Sequence, residues 1–192
     1  DDALLVVCVV DGKQSHEVLF GPNGAAAALA PQTTVMLCPT IAPQDTEAMA
    51  NALAMAKLCC IDAPMSGGPV RAAQGQMSLM VACDDAIWAR NQGKLEALAN
   101  PVFRVSSRPG DGARTKLVNN LLAAINLVGA AEALAMAQRL GLNPQTTWGV
   151  IEQSSGQSWI GSDRMRRALA QDFAPRAHMS LLAKDSRLAI EA

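Results

Sequence analysis

The sequence predicts an α/β protein in which a helix-flanked parallel sheet is followed by an all-α region, introduced by one long apolar helix. Short β-branched apolar runs alternate with helical stretches up to residue 107, a pattern typical of βαβ units. Beyond residue 109 strand patterns vanish, and residues 116–138 are mostly apolar with few interruptions. We therefore expect two domains, 1–108 and 109–192, that meet at the Pro/Gly turn of residues 107–110.

Composition narrows the classes of function. The 192 residues are 50% apolar and carry a net charge of −1, so a core can form and no basic surface for nucleic acid or an anionic membrane is indicated. The five cysteines are odd in number and include no Cys-x-x-Cys pair, so neither a disulfide framework nor a metal site is expected. No signal peptide opens the chain, and we expect a cytoplasmic protein with a small-molecule partner.

Five strands are predicted in the first domain. The run 3–10 is continuously apolar and ends at Asp11-Gly12, which is typical of a fully buried strand and its turn. An amphipathic stretch and an alanine-rich helical turn lead from there to the second strand. The later elements are a strand at 33–38, a helix at 45–57, and strands at 58–61, 76–83 and 101–107, with a helix at 84–99.

Ligands of such sheets bind beyond the carboxyl ends of the strands, where this chain has residues 10–14, 39–43 and 62–68. Ser66, Gly67 and Gly68 follow directly on a strand. Because glycine has no side chain, their backbone N–H groups could approach a carboxylate closely. A simple tight turn is the alternative interpretation.

The second domain is predicted to be helical throughout. The long helix should end at Gly141, and Asn143-Pro144 supplies the cap and the first-turn proline of the next helix. A helix at 158–171 follows, and the last helix carries Lys184 and Asp185. Since the long helix has few polar residues, we expect it to be buried on nearly all sides as core rather than to span a membrane.

Lys116, Asn119 and Asn120 share one face of the long helix by their i, i+3, i+4 spacing. A lysine is seldom buried without a reason, so Lys116 is either a functional amine or a side chain that extends to solvent from the first turns. The chain has no tyrosine, which excludes the phenolic acid of a Tyr-x-x-x-Lys dehydrogenase. Neither histidine falls in a recognisable constellation, so lysine is the leading titratable candidate.

With these positions fixed, the chain resembles the β-hydroxyacid dehydrogenases, the family of 3-hydroxyisobutyrate dehydrogenase and tartronate semialdehyde reductase, related to 6-phosphogluconate dehydrogenase. Four motifs carry the resemblance: Asp-Ala-Pro-Met-Ser-Gly-Gly at 62–68, Gly-x-x-x-Lys-x-x-Asn-Asn at 112–120, Thr-Ile-x-Pro at 40–43 and Lys-Asp at 184–185. Met65 replaces the family's valine, and Ser186 its leucine. Similarity at 158–160 and 164–166 points to the branch that acts on L-threonate.

The resemblance implies the C-terminal part of a Rossmann-type dinucleotide-binding domain at 1–108, followed by an all-α substrate and oligomerisation domain at 109–192 that is cut short at its end. It implies NAD, with NADP possible, contacted by Val10, Thr40 and Lys184. The family's opening Gly-x-Gly-x-x-Gly segment is missing, which suggests that roughly sixty residues are absent before Asp1.

The resemblance also implies the oxidation of a small hydroxy acid, such as the four-carbon L-threonate, with Lys116 as general acid and base. Ser66, Gly67 and Gly68 would bind the substrate carboxylate, while Asn119 or Asn120 would orient the substrate or the lysine. Burial and a cationic nicotinamide would both favour the neutral amine. The protein would be a homodimer or homotetramer. An NADPH-dependent reductase of small aldehydes or imines, and an inactive oligomerising fragment that binds no dinucleotide, are the alternatives.

Overall fold

Six strands and eight α-helices make up the part of the chain that the computed structural model describes, residues 3–174 and 179–192. The strands are β1 Leu4–Val7, β2 Thr34–Leu37, β3 Cys59–Asp62, β4 Met65–Ser66, β5 Ser78–Ala82 and β6 Val102–Ser106. The helices are α1 Gly12–Phe20, α2 Pro43–Met55, α3 Gly68–Ala73, α4 Asp85–Leu98, α5 Asp111–Arg139, α6 Pro144–Glu152, α7 Trp159–Leu169 and α8 Met179–Glu191, with a 3₁₀ turn at Ala25–Ala28.

The strands form one sheet in the order β1-β2-β3-β5-β4, with β6 paired to β5. β1, β2 and β3 are parallel, as are β5 and β6, which confirms the predicted α/β fold with a helical region after it. β5 runs antiparallel to β3 and β4. Neither β4 nor α3 was predicted, because residues 65–73 contain Gly-Gly-Pro and match the pattern of a loop.

β2 is buried on both faces of the sheet. Val35 and Leu37 belong to one apolar cluster, and Met36 belongs to another. The first cluster includes Leu19 of α1 and the second Leu95 of α4, and both leucines are fully buried. Side chains alternate across a strand, so the continuous apolar run at 35–38 reflects burial on two sides, as predicted.

The cysteines differ sharply in their surroundings. All five are free thiols. Burial is the main cause that raises the pKa of Cys38 to about 12 and that of Cys83 to about 11, and it also raises the pKa of Cys60. Cys8, just after β1, is exposed.

The chain divides into two compact units. One ends at Val118 and takes in Arg187–Ala192, and the other is Asn119–Ser186. Within the second unit, Leu134, Trp148 and Met165 form the buried centre. The indole N–H of Trp148 donates a hydrogen bond to Glu152 at 2.9 Å, so this tryptophan is a packing residue with a satisfied polar group.

Several predicted helix ends are confirmed by their caps. Asp84 accepts a hydrogen bond from the N–H of Ala86 at the start of α4, and Asn143 accepts one from Thr146 at the start of α6. After α5, Gly141 has a φ of +71°, the left-handed conformation that commonly ends a helix.

The predicted burial of the long helix is wrong. Only 11% of the most apolar stretch of α5 is buried, and Val118, Leu122 and Ile125 are 71%, 58% and 58% exposed. Within the described ranges, only the side that carries Leu127 and Ala130 packs against an apolar cluster. By length and composition alone α5 could also cross a membrane, a property that core helices of soluble proteins share.

Candidate active site

Lys116 lies in the second turn of α5 and is a buried charged residue, 6% exposed. Ala113 and Leu117 on the same helix are buried as well. The side chain therefore does not extend into solvent, which was the alternative left open by its sequence position. A buried amine is a candidate for proton transfer because burial penalises its charged form.

The start of α5 is fixed by a carboxylate from the sheet. Asp62, the last residue of β3, is 2% exposed. Its Oδ2 accepts hydrogen bonds from the N–H groups of Gly110 at 2.8 Å and of Ala113 at 3.1 Å. First-turn N–H groups of a helix have no partner within the helix, so Asp62 acts as a cap supplied by a distant strand. Asp62 opens the sequence motif at 62–68, but the motif alone predicts no role for it.

Burial raises the pKa of Asp62 to about 6. The N–H groups of Ala113, Gly110 and Gly112 act in the opposite direction, because hydrogen bonds to a carboxylate favour its charged form. Desolvation outweighs them. A carboxylate is therefore kept inside the domain at an electrostatic cost.

Two glycines allow this contact. Gly110 has a φ of +100°, a conformation that residues with a side chain rarely adopt. A Cβ on Gly112 would lie 2.6 Å from the Met80 carbonyl oxygen and 2.9 Å from Asp62 Oδ2. The helix therefore begins directly against the sheet. This close contact explains why glycine occupies the first position of the Gly-x-x-x-Lys motif.

A second set of contacts holds the same turn at the surface. Asp111 accepts hydrogen bonds from Arg108 and Arg114, and Arg114 also pairs with Glu47 of α2 at 2.7 Å. A hydrogen bond from Ser106, followed by the charge of Arg108, lowers the pKa of Asp111. These groups are more exposed than Asp62, so each ion pair contributes less than about 1 kcal/mol to the free energy of unfolding.

The predicted carboxylate-binding turn lies where β4 gives way to α3. Gly67 and Gly68 have φ values of +140° and +71°, so both positions favour glycine for backbone reasons. A Cβ on Gly68 would meet nothing within 4 Å. Ser66 pairs with Ser78 of β5 and is half-buried. The turn is accessible, and its backbone could accommodate an anionic group.

Val10 and Thr40 follow the carboxyl ends of the neighbouring parallel strands β1 and β2. Val10 is 50% exposed and Thr40 half-buried. α2 begins three residues after Thr40, and its N-cap residue Ala42 makes no side-chain hydrogen bond to the first turn. Both residues thus lie at the edge of the sheet where ligands of open parallel sheets bind.

In the second unit, Asp185 connects two of the predicted motifs. Its Oδ2 accepts a hydrogen bond from Asn120 Nδ2 at 2.6 Å, and Asn119 Nδ2 donates to Asn120 Oδ1 at 3.0 Å. Lys184 Nζ lies 3.0 Å from Asp185 Oδ1, yet that oxygen has no hydrogen bond of acceptable geometry. We regard this contact as an ion pair only. Asp185 is 7% exposed and was missed as a site residue.

The predicted site residues thus fall into two groups. Ser66, Gly67, Gly68 and Lys116 lie in the first unit with Val10 and Thr40, and Asp62 joins the strand before the glycine turn to the helix of Lys116. Asn119, Asn120 and Lys184 lie in the second unit and are linked through Asp185. Within the described residues no group of His, Cys, Asp and Glu side chains could hold a metal ion.

Two family models match consecutive parts of the chain. Residues 3–106 match the NAD-binding domain of 6-phosphogluconate dehydrogenase. Residues 110–192 match the NAD-binding domain of NADP-dependent 3-hydroxyisobutyrate dehydrogenase. The first match ends at residue 106 and the second begins at residue 110.

An L-threonate dehydrogenase of Escherichia coli O6:H1 is 40% identical over 184 residues, a match that covers 96% of this chain and 61% of that protein. The chain therefore spans about three-fifths of the length of this curated relative.

Two solved structures have the same fold. A 3-hydroxyisobutyrate dehydrogenase from Salmonella typhimurium has a TM-score of 0.89 and 36% identity, over 98% of this chain and 65% of that one. The protein Psf3, in complex with NADP⁺ and 2-OPP, has a TM-score of 0.91 and 28% identity, over 98% of this chain and 66% of that one. Together with the matches to family models over both parts of the sequence, these likenesses show that the chain belongs to the β-hydroxyacid dehydrogenase family, which includes 6-phosphogluconate dehydrogenase and 3-hydroxyisobutyrate dehydrogenase.

Proposed function

We propose that this protein oxidises a small hydroxy acid, a four-carbon sugar acid such as L-threonate, with NAD or NADP as the hydride acceptor and Lys116 as the general base. The observation that carries the proposal is the burial of Lys116, in a chain whose relatives include L-threonate dehydrogenases. A buried lysine without structural purpose is rare, and proton transfer by a positioned amine suits the oxidation of an alcohol.

Lys116 takes the hydroxyl proton of the substrate in this proposal. A lysine in water has a pKa of about 10.4 and would be protonated at neutral pH. Catalysis as a base therefore requires surroundings that favour the neutral amine, and burial of an amine acts in that direction. In the reverse direction the same group returns the proton as an acid.

Ser66, Gly67 and Gly68 bind the substrate carboxylate through their backbone N–H groups. The positive φ values of the two glycines and the open space at Gly68 support this role. Successive N–H groups in such a turn form an anion-binding concavity. Asn119 and Asn120 orient the substrate hydroxyl or the lysine, and the hydrogen bond from Asn120 to Asp185 supports a fixed amide orientation.

Val10, Thr40 and Lys184 hold the dinucleotide. The matches to two NAD-binding family models support this assignment, as does the NADP⁺ bound to the similar protein Psf3. When bound, the nicotinamide supplies the acceptor for the hydride. α2 begins three residues after Thr40, and the first-turn N–H groups of a helix are donors that suit a polar part of the cofactor.

We also propose a division at residues 108 and 109 into a dinucleotide-binding domain and a helical substrate and oligomerisation domain, in a cytoplasmic homodimer or homotetramer. The exposed apolar side chains of α5 support self-association, because such a surface is usually covered in solution. Light scattering after size-exclusion chromatography measures the oligomeric state, and a monomer at micromolar concentration would contradict this part of the proposal.

The proposal is tested by comparing the wild type with Lys116→Ala and Lys116→Arg in the oxidation of L-threonate with NAD⁺ and with NADP⁺. Loss of the base should lower kcat by about a hundredfold or more, while dinucleotide binding, measured by calorimetry, stays within about threefold. Lys57→Ala, which removes an exposed lysine in the turn before β3, is the matched control and should leave kcat unchanged. Near-normal turnover in Lys116→Ala would rule out the assignment.

A further inference from the structure

Asp62 is a buried carboxylate with no part in the proposed chemistry. It lies at the carboxyl end of β3, paired in register with Leu37 of β2 and with Ala82 of β5. It accepts hydrogen bonds from backbone N–H groups at one helix end, those of Gly110 and Ala113. A buried charge needs an explanation, and here the explanation must involve the start of α5.

The contact replaces a local helix cap. Helices are commonly capped by a Ser, Thr, Asp or Asn directly before the first turn, but at this position α5 has Gly110, which has no side chain. The nearby Asp111 is engaged by Arg108 and Arg114 instead. The first turn is therefore capped by a residue 48 positions earlier in the chain, and its position is set by the sheet rather than by its own sequence.

β3 also leads into the proposed carboxylate-binding turn. Ser66 comes four residues after Asp62, and Lys116 comes three residues after Ala113. Three residues of helix correspond to about 4.5 Å along its axis, a little less than one turn. One side chain thus stands between the segment that would bind the substrate and the helix that carries the lysine.

We propose that Asp62 is a positioning residue that sets the place of Lys116 relative to the Ser66-Gly67-Gly68 turn. This inference rests on the proposed role of Lys116. The carboxylate holds the first turn through Gly110 and Ala113, and Gly112 allows the helix to lie directly against it. A displacement of the base by about 1 Å is enough to reduce a rate about a hundredfold.

The electrostatics of Asp62 agree with a positioning role. Burial raises its pKa to about 6 in spite of the N–H groups that face it. Buried charges often contribute little to stability compared with well-packed apolar groups. A carboxylate that is unfavourable for folding at neutral pH is better explained by the geometry that it imposes than by the stability that it adds.

The test compares Asp62→Asn with the wild type by two measurements. The first is the acetylation rate of Lys116 by dilute acetic anhydride, followed by mass spectrometry, with the exposed Lys13 as internal reference. The second is the split between kcat and KM for L-threonate. If Asp62 positions Lys116, the variant should acetylate Lys116 about fivefold faster or more, relative to Lys13. Its kcat should fall about tenfold or more, while KM changes less than about threefold.

Glu47→Gln is the matched control, because Glu47 also binds the start of α5 but through an exposed ion pair with Arg114. It should leave both measurements within about twofold of the wild type. The inference would be overturned if the Asp62→Asn variant behaved like this control in both measurements. If Lys116→Ala keeps its turnover, the proposed function fails, and the acetylation rate still decides whether Asp62 controls the surroundings of the lysine.

A wild-type measurement covers the case in which Asp62→Asn does not fold. The N–H groups of Gly110 and Ala113 should exchange with deuterium at least about tenfold more slowly than in an unstructured peptide, because a buried carboxylate accepts them. First-turn N–H groups of an ordinary helix lack an intrahelical partner and are poorly protected. Rapid exchange at both positions would overturn the inference without any variant.

Discussion

Asn120 of the long helix donates a hydrogen bond of 2.6 Å to Asp185 of the last helix, so two motifs 65 residues apart share one partly buried polar contact. Asp185 is 7% exposed and Asn120 half-buried. A hydrogen bond to a buried charged group contributes more than one at the surface. The contact gives the second unit a specific connection between its first and last helices.

A double-mutant cycle over Asn120→Ala and Asp185→Ala should give a coupling free energy of about 1 to 3 kcal/mol. Each single variant should lower the free energy of unfolding, because each leaves a polar partner buried without a hydrogen bond. Urea unfolding followed by tryptophan fluorescence measures all four proteins. Purely additive effects would show that the contact is not formed in solution.

Gly112→Ala should destabilise the protein by about 2 kcal/mol or more, because its Cβ would lie 2.6 Å from a backbone oxygen that cannot move aside. Gly129→Ala is the matched control on the same helix, since a Cβ there meets nothing within 4 Å. Alanine favours the helix over glycine by about 1 kcal/mol, so the control should be slightly stabilised. Thermal unfolding of the wild type and the two variants measures their stabilities. Equal unfolding midpoints would contradict the predicted steric clash at Gly112.

The stability of the protein should depend on pH through Asp62, whose pKa burial raises from 3.8 to about 6. Because the folded state binds this proton more tightly than the unfolded state, the stability that it provides is fully present below pH 3.8 and is lost as the pH rises through about 6. Asp62→Asn cannot ionise. Relative to this variant, the wild type should therefore lose up to about 3 kcal/mol between about pH 4 and pH 7.

Urea unfolding of both proteins at several pH values across this range tests the dependence. The comparison cancels the other titrating groups, which the two proteins share. Parallel curves of unfolding free energy against pH would mean that Asp62 has the same pKa in the folded and the unfolded protein.

Gly68→Ala should raise the KM for the hydroxy acid more than it lowers stability. A φ of +71° makes alanine unfavourable by about 1 kcal/mol, and the added methyl group has no protein atom within 4 Å. It would therefore disturb mainly a bound carboxylate. An increase of about tenfold in KM is expected, whereas Gly75→Ala, also at positive φ and in open space, should leave KM unchanged.

The sequence predicts those parts of the fold that depend on neighbours along the chain. The apolar run at 35–38 indicates a strand buried on both faces, and Asn143-Pro144 indicates the start of α6. Gly67 and Gly68 match the pattern of an ordinary turn, so the sequence does not predict the short helix α3. Local patterns suffice wherever the cause of a structure is local.

Contacts between distant residues explain what sequence reasoning missed. The role of Asp62 depends on a hydrogen bond across 48 positions, and that of Asp185 on one across 65. Neither contact can be predicted from the spacing of residues along the sequence. The exposure of α5 was missed for a similar reason. Its apolar composition indicates that another surface must cover it, but not whether that surface belongs to the same chain or to a second copy. The roles of Lys116, Ser66 and the other site residues stay predictions that the variants above test.

The unequal surroundings of the thiols have a practical consequence for spectroscopy. Thiolates, not thiols, attack maleimides, so Cys38, Cys60 and Cys83 should remain unlabelled in the native protein while the exposed Cys8 reacts first. Cys8 lies two residues before Val10, at the edge of the sheet proposed for the dinucleotide. A fluorophore attached there would report nucleotide titrations as a change in emission, without an engineered attachment point.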